Sequence, residues 1–278
     1  TAMAYVADIT TEENRGKGMG IVGAATGLGF VFGPAIGGIF SKFSLNMPFY
    51  LASGSSFITL ILVFLLLKES AQKNGKVVKE KPSLWKAFSG AVSTLFLVQL
   101  LISLSLSGLE ATFAYFAAKK AGLGAAQLGY IFMIMGFASA IVQGGLVGRL
   151  TKKYGERLVI QGGIIVSALG FGLILLVNSF ATAAIFLTIF GIGNGVIRPS
   201  VSSLITKTST AGYGSSTGLL SSFDSLGRII GPPLGGWLFS MAIGLPYISG
   251  AIISIAAFIL FLLFRPQPAS VNTTNIQN

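Results

Sequence analysis

A run of about 20 apolar residues can cross a lipid bilayer as a helix, because a helix pairs every backbone N–H and C=O within the segment. The sequence holds eight such runs: Met19–Phe40, Pro48–Leu67, Ala91–Ala117, Leu128–Val147, Leu158–Val177, Ala181–Thr206, Ser215–Ser240 and Pro246–Phe264. The longest interruption is the polar segment 68–90, so the fold class expected is all-α, a polytopic membrane protein. Composition agrees, since only 10% of the 278 residues are charged and 53% are hydrophobic, against about 25% charged in a soluble domain.

The basic residues are distributed unevenly about these runs. If Thr1 and segment 68–90 share a side, that side carries Arg15, Lys17, the six lysines within 68–86, Arg149, Lys152, Lys153, Arg157, Lys207 and Arg265. The other side has Lys42, Lys119 and Lys120 alone. The positive-inside rule makes the first side cytoplasmic and puts both ends of the chain there. It also accounts for the net charge of +11 without invoking nucleic acid. The chain has no cysteine and no histidine, which removes thiolate and imidazole chemistry and the usual zinc ligands. No catalytic cluster is visible among the eight acidic residues, so an enzyme is not expected and no metal or bound cofactor is required.

An internal repeat is legible in the glycines and prolines. "GLGFVFGPAIGG" at 27–38 is echoed by "LGRIIGPPLGG" at 226–236, and the pairs Gly20/Gly218, Gly29/Gly227, Gly33/Gly231, Pro34/Pro232, Gly37/Gly235, Gly38/Gly236 and Pro48/Pro246 all stand 198 positions apart. Both runs leave the cytoplasmic side, as in parallel transporter repeats about an axis along the membrane normal. On a helix, Gly29, Gly33 and Gly37 share a face, where another backbone is expected to approach closely. Pro34 and Pro232 bend their helices and free a carbonyl.

The same residues resemble the fifth-helix antiporter motif of the major facilitator superfamily, preceded here by "AYVADITTEENRGKGMG". Within that superfamily the chain is most similar to twelve-span drug:proton antiporters. A second signature, G-R-L-x-D-R-x-G-R-R in the family, resembles "GRLTKKYGER" at 148–157. Gly148, Arg149, Leu150, Gly155 and Arg157 match, while Lys152 stands at the aspartate position and Glu156 at an arginine. The resemblance implies two six-helix halves of which eight helices are present: 1–67 as the end of the first half, 68–90 as the central cytoplasmic loop, 91–264 as the second half and 265–278 as a tail. It further implies residence in the cytoplasmic (inner) membrane, alternating access, a proton gradient as energy source, and a monomer exporting lipophilic or cationic small molecules. A nutrient or metabolite carrier of the same fold, or an inactive fragment, is the alternative.

Ionisable residues inside a span are costly and point to function. Glu110, in "SLSGLEATFAYF", is a candidate for proton exchange or for attracting a cation, with an outer-interface carboxylate near Lys119 and Lys120 as the plainer reading. Asp224 and Arg228 are four apart and form an expected intrahelical pair; the alternative makes Asp224 a second proton-coupling candidate, the pair opening as it takes a proton. Arg198 is expected in a cytoplasmic gate, paired with Asp8, Glu12 or Glu156, with Arg149 and Arg157 in the same gating group; binding of a substrate anion is the alternative for Arg198. The Gly191, Gly193 and Gly195 run beside it lacks the strand of a dinucleotide fold. Phe113, one turn from Glu110, and Gln143 in the next span are the cavity-lining candidates. Two equal copies predict roughly a hundred residues and four helices ahead of Thr1, which the coding sequence upstream of Thr1 checks: an in-frame stop directly before Thr1 would overturn it.

Overall fold

The structure, a computed structural model, describes residues 5, 12–67, 92–208 and 213–264. Asp8, the central segment and the tail lie outside them, as does the side chain of Glu12. The described residues form helices α1 (Glu12–Phe40), α2 (Met47–Leu66), α3 (Val92–Ala121), α4 (Ala125–Ile141), α5 (Val147–Ile174), α6 (Phe180–Thr208), α7 (Tyr213–Met241) and α8 (Leu245–Leu262), with no strand among them. Each helix occupies one of the eight apolar runs. Pro48 and Pro246 sit in the first turns of α2 and α8, where a missing N–H costs nothing, and the two helices start 198 positions apart like the rest of the repeat.

The connections that lie wholly among the described residues are short. α3 ends where Gly122 takes φ 65°, with Gly122 N–H donating to Ala118 O and Leu123 N–H to Ala117 O, the left-handed glycine closure of a helix C-terminus. The loop expected at 148–157 is smaller than the sequence suggested. α4 passes through a π-helical turn at Val142–Leu146 directly into α5, and the helical course breaks only at Gly155, φ 80° and ψ 155°. No proline stands in "GRLTKKYG", and Thr151 hydrogen-bonds back to Val147 O at 2.8 Å, so helix persists through the charged stretch.

Polarity is arranged inside-out. Leu158, Leu169, Ile229, Ile252 and Ile255 face outward, whereas Gln99, Ser103, Ser107, Ser167, Asp224 and Ser254 are buried. α2 buries nothing and touches only α1 among the described residues, an arrangement suited to lipid rather than water. The interior has two apolar clusters. One joins Val92–Ile102 of α3 to Ile160, Ile164, Val196–Ile205 and Phe261; the other joins Leu109–Ala117 to Phe171, Leu187, Phe190 and Tyr247. Between them runs a layer of small and hydroxyl residues: Ser103, Ser105 and Ser107 on α3, Ser167 on α5, Gly191–Gly195 on α6 and Ser254 on α8. Ser105, Ser107 and Ser254 each donate to the carbonyl four residues back, which satisfies the hydroxyl without a partner helix.

Small residues decide where helices cross, because lipid provides no hydrophobic drive for helices to associate. α7 packs on α3 through Gly227, Gly231 and Gly235: a Cβ on Gly231 would collide with Ser107 Oγ and stand 2.6 Å from Leu104 O, and one on Gly227 would stand 2.8 Å from Leu100 O. The first copy differs. A Cβ on Gly29, Gly33 or Gly37 would meet nothing within 4 Å, so the close approach expected on that face does not occur among the described residues. Gly38 makes the approach instead, crossing α4 at Gly129, where an added Cβ would lie 2.5 Å from Pro34 O and 3.0 Å from Gly38 Cα. Pro34 and Gly38 are four apart and share a face about 100° around the helix from the Gly33–Gly37 face. Gly231→Ala is therefore expected to lower the melting temperature in detergent and cost about 1–3 kcal/mol, while Gly172→Ala, with open space at its Cβ, leaves it nearly unchanged; equal melting of the two variants would refute this account of the α3–α7 contact.

Candidate functional site

A cavity of about 610 Å³ opens between α1, α3, α4, α6 and α7, within the range of small-molecule sites. Its apolar lining comes from Ile102, Leu106, Met135, Phe190 and Leu220. All four charges singled out inside the spans, Glu110, Arg198, Asp224 and Arg228, lie on its wall.

Their arrangement follows from the α3–α7 contact. The Gly227–Gly231–Gly235 face seats α7 against the serines of α3, and Asp224, one turn before Gly227, is carried against Gln99 and Ser103. Gln99 Nε2 donates to Asp224 Oδ1 at 2.9 Å, and Ser103 Oγ donates to the same oxygen. Asp224 Oδ2 faces Arg228 Nε at 3.4 Å and Arg198 Nη2 at 3.7 Å. Arg228 Nη1 in turn lies 3.8 Å from Glu110 Oε2. The result is a linear chain, Arg198–Asp224–Arg228–Glu110, with two charges of each sign. Asp224 is nearly buried at 9% side-chain exposure, while Arg198 keeps 55% and Arg228 43%. The other oxygens, Glu110 Oε1 and Gln99 Oε1, are buried with no hydrogen-bond partner among the described residues.

Asp224 and Arg228 make the expected intrahelical pair, and each also reaches another helix. Glu110 lies in the cavity wall rather than near the lysines: Lys120 donates to Leu175 O at 3.2 Å and stands over the Phe116 ring. Gln143 lines the cavity too; it sits on the π-helical turn, facing the gap left by Gly195, where a Cβ would be 3.5 Å from its Nε2. Three expectations change. Phe113 is fully buried in the second apolar cluster, edge-on to Phe132 at 5.7 Å, so it supports the wall and does not line it. Arg198 pairs with Asp224 across α6 and α7, because it points into the cavity; Glu156 instead takes Lys207 and Ser203 of α6, and Asp8 lies outside the described residues. Arg157 bonds the last carbonyls of the α8 segment, Phe264 O at 2.9 Å and Leu262 O at 3.5 Å, rather than joining an ion pair; Arg149 is exposed, with no ion pair among the described residues. Gln99, Ser103, Asn194 and Ser202, all cavity-lining or bonded to Asp224, were not singled out as site residues. The α3 signal was available, since Gln99, Ser103, Leu106 and Glu110 follow one face of an apolar helix.

Asp224→Asn leaves two arginines facing a single carboxylate, and a loss of about 1–3 kcal/mol is expected from its charged hydrogen bonds. A double-mutant cycle with Arg228→Gln, read from denaturation in detergent, is expected to show coupling of about 0.5–3 kcal/mol; strict additivity would show that the two groups do not act as a unit.

Known proteins resemble this chain along nearly all of its length. The family model described as Major Facilitator Superfamily matches residues 1–152 and 95–278. Multidrug resistance protein 1 of Bacillus subtilis is 30% identical over 274 residues, covering 98% of this chain and 70% of that protein. Multidrug resistance protein 2 of the same organism is 29% identical over 275 residues, covering 95% and 68%. Quinolone resistance protein NorA of Staphylococcus aureus is 25% identical over 277 residues, covering 98% and 70%. The crystal structure of the human organic anion transporter MFSD10 (TETRAN) shares the fold, with a TM-score of 0.69 at 23% identity over 93% of this chain and 66% of that one. The chain thus spans about two thirds of the length of these relatives. With its all-helical, multi-pass architecture and its central cavity, it belongs to the major facilitator superfamily of membrane transporters.

Proposed function

We propose that this protein is a proton-coupled exporter of lipophilic or cationic compounds, working by alternating access of the cavity to the two sides of the membrane. One observation supports it above others: two acids, Glu110 and Asp224, share Arg228 on the wall of one cavity. A proton on Glu110 removes its attraction for Arg228 and lets the guanidinium settle on Asp224. An ionised Glu110 holds Arg228 or, in its place, a substrate cation. Proton and cation then compete for one group, which is the minimum an antiporter needs. The relatives named as multidrug and quinolone resistance proteins support drug-like substrates. The distribution of Lys and Arg supports an orientation with both ends of this chain in the cytoplasm, so that export from the cell corresponds to uptake by everted vesicles.

In everted vesicles carrying the protein with an acid interior, a panel of lipophilic cations is expected to accumulate until the pH gradient is collapsed. Glu110→Gln is expected to cut this gradient-driven accumulation roughly tenfold or more, as for an intramembrane acid that carries function, with Asp224→Asn impaired as well. Accumulation that survives Glu110→Gln would place proton coupling elsewhere, and uptake of a sugar or organic acid in place of the cations would favour a nutrient carrier.

A further inference from the structure

The four charges of the cavity do not share their partners equally. Asp224 is satisfied without Arg198: Gln99 and Ser103 donate to Oδ1, and Arg228 Nε approaches Oδ2 at 3.4 Å. Arg198 Nη2 is 3.7 Å from that oxygen, beyond hydrogen-bond range. None of its five N–H donors meets an acceptor among the described residues, and more than half of its side chain is exposed.

Arg198 also has company. Asn194 and Ser202, one turn to either side on α6, line the same cavity, and neither side chain makes a hydrogen bond among the described residues. Gly191 and Gly195 lie on the same wall, packed by Met135 and Ser139 of α4 and by Gln143 of the π-helical turn. The cavity is therefore two-sided. The α3–α7 wall carries both carboxylates, Glu110 and Asp224, while the α6 wall presents a guanidinium fork between an amide and a hydroxyl.

We propose that the α6 wall is a carboxylate-binding subsite: Arg198, assisted by Asn194 and Ser202, takes the carboxylate of an amphiphilic substrate whose cationic end faces Glu110 on the opposite wall. A planar guanidinium matches a carboxylate through two parallel N–H···O bonds, which lysine cannot reproduce. The site then discriminates among cations by what they carry at the far end, and zwitterions are preferred over plain cations. This rests on the reading of the cavity as the substrate site but not on proton coupling.

Equilibrium binding separates the two. The probes are a fluorescent xanthylium dye bearing a free benzoate and its methyl ester, identical cations that differ by one carboxylate. With the purified protein in lipid nanodiscs, fluorescence polarisation is expected to show the acid binding at least tenfold more tightly than the ester. Arg198→Gln brings that ratio close to one, and Arg198→Lys, keeping the charge without the fork, leaves an intermediate ratio. Equal affinity of the unsubstituted protein for the two dyes, no binding of the acid, or loss of both dyes by the same factor in Arg198→Gln would each overturn the subsite. A dye ratio as expected, with no gradient-driven transport in vesicles, would leave the subsite standing and defeat the proton-coupled reading alone.

Discussion

The close approach of α3 and α7 is the contact on which the cavity depends. It exists because Gly227, Gly231 and Gly235 leave no side chains on one face of α7, and because Ser103, Ser107 and Gly108 present an equally small face on α3. Ser107 adds a hydrogen bond across the crossing, to Gly227 O at 3.1 Å. In a bilayer such contacts take over the part that apolar burial has in water, since a lipid tail is as good a neighbour for leucine as another helix is. Asp224 lies one turn from this crossing, so the geometry that packs the helices also delivers a carboxylate to Gln99 and Ser103.

Around that point the interior divides by function. Two apolar clusters near the ends of the helices hold the bundle together, and the layer between them is built from serine and glycine. Such a layer keeps helices close while carrying polar groups. Ser105, Ser107 and Ser254 bond carbonyls of their own helices, while Ser103 reaches across to Asp224. The charged chain from Arg198 to Glu110 occupies the edge of this layer, where the cavity begins. A balanced chain with two half-exposed arginines is less costly than an isolated buried charge, and it can be rearranged by a proton or a ligand at a modest energetic cost.

The two glycine-rich runs show that a sequence repeat need not be used identically. In the second copy the face with glycine at every fourth position is closed by α3. In the first, the crossing on α4 uses Pro34 and Gly38, and the corresponding Gly236 of the second copy has open space around it. Each run therefore offers two small faces, and the neighbour that arrives selects one.

Much of this was readable from the chain alone. Eight helices followed from eight apolar runs because backbone pairing in lipid leaves a spanning segment little alternative, and the 198-residue repeat and the family resemblance followed from glycines and prolines whose spacing survives where other residues change. Local pairing was readable as well: Asp224 and Arg228 are neighbours by helix geometry whatever surrounds them. The partners across helices were not. Arg198 turned to Asp224 rather than Glu156, Phe113 turned into the apolar cluster rather than the cavity, and Glu110 found Arg228, because those choices depend on which faces meet at the crossings. The sequence by itself determined the eight helices, the repeat and the identity of the costly charges; only the tertiary structure, through the small-residue contact of α3 with α7 and the approach of α6, decided that those charges form one chain lining one cavity.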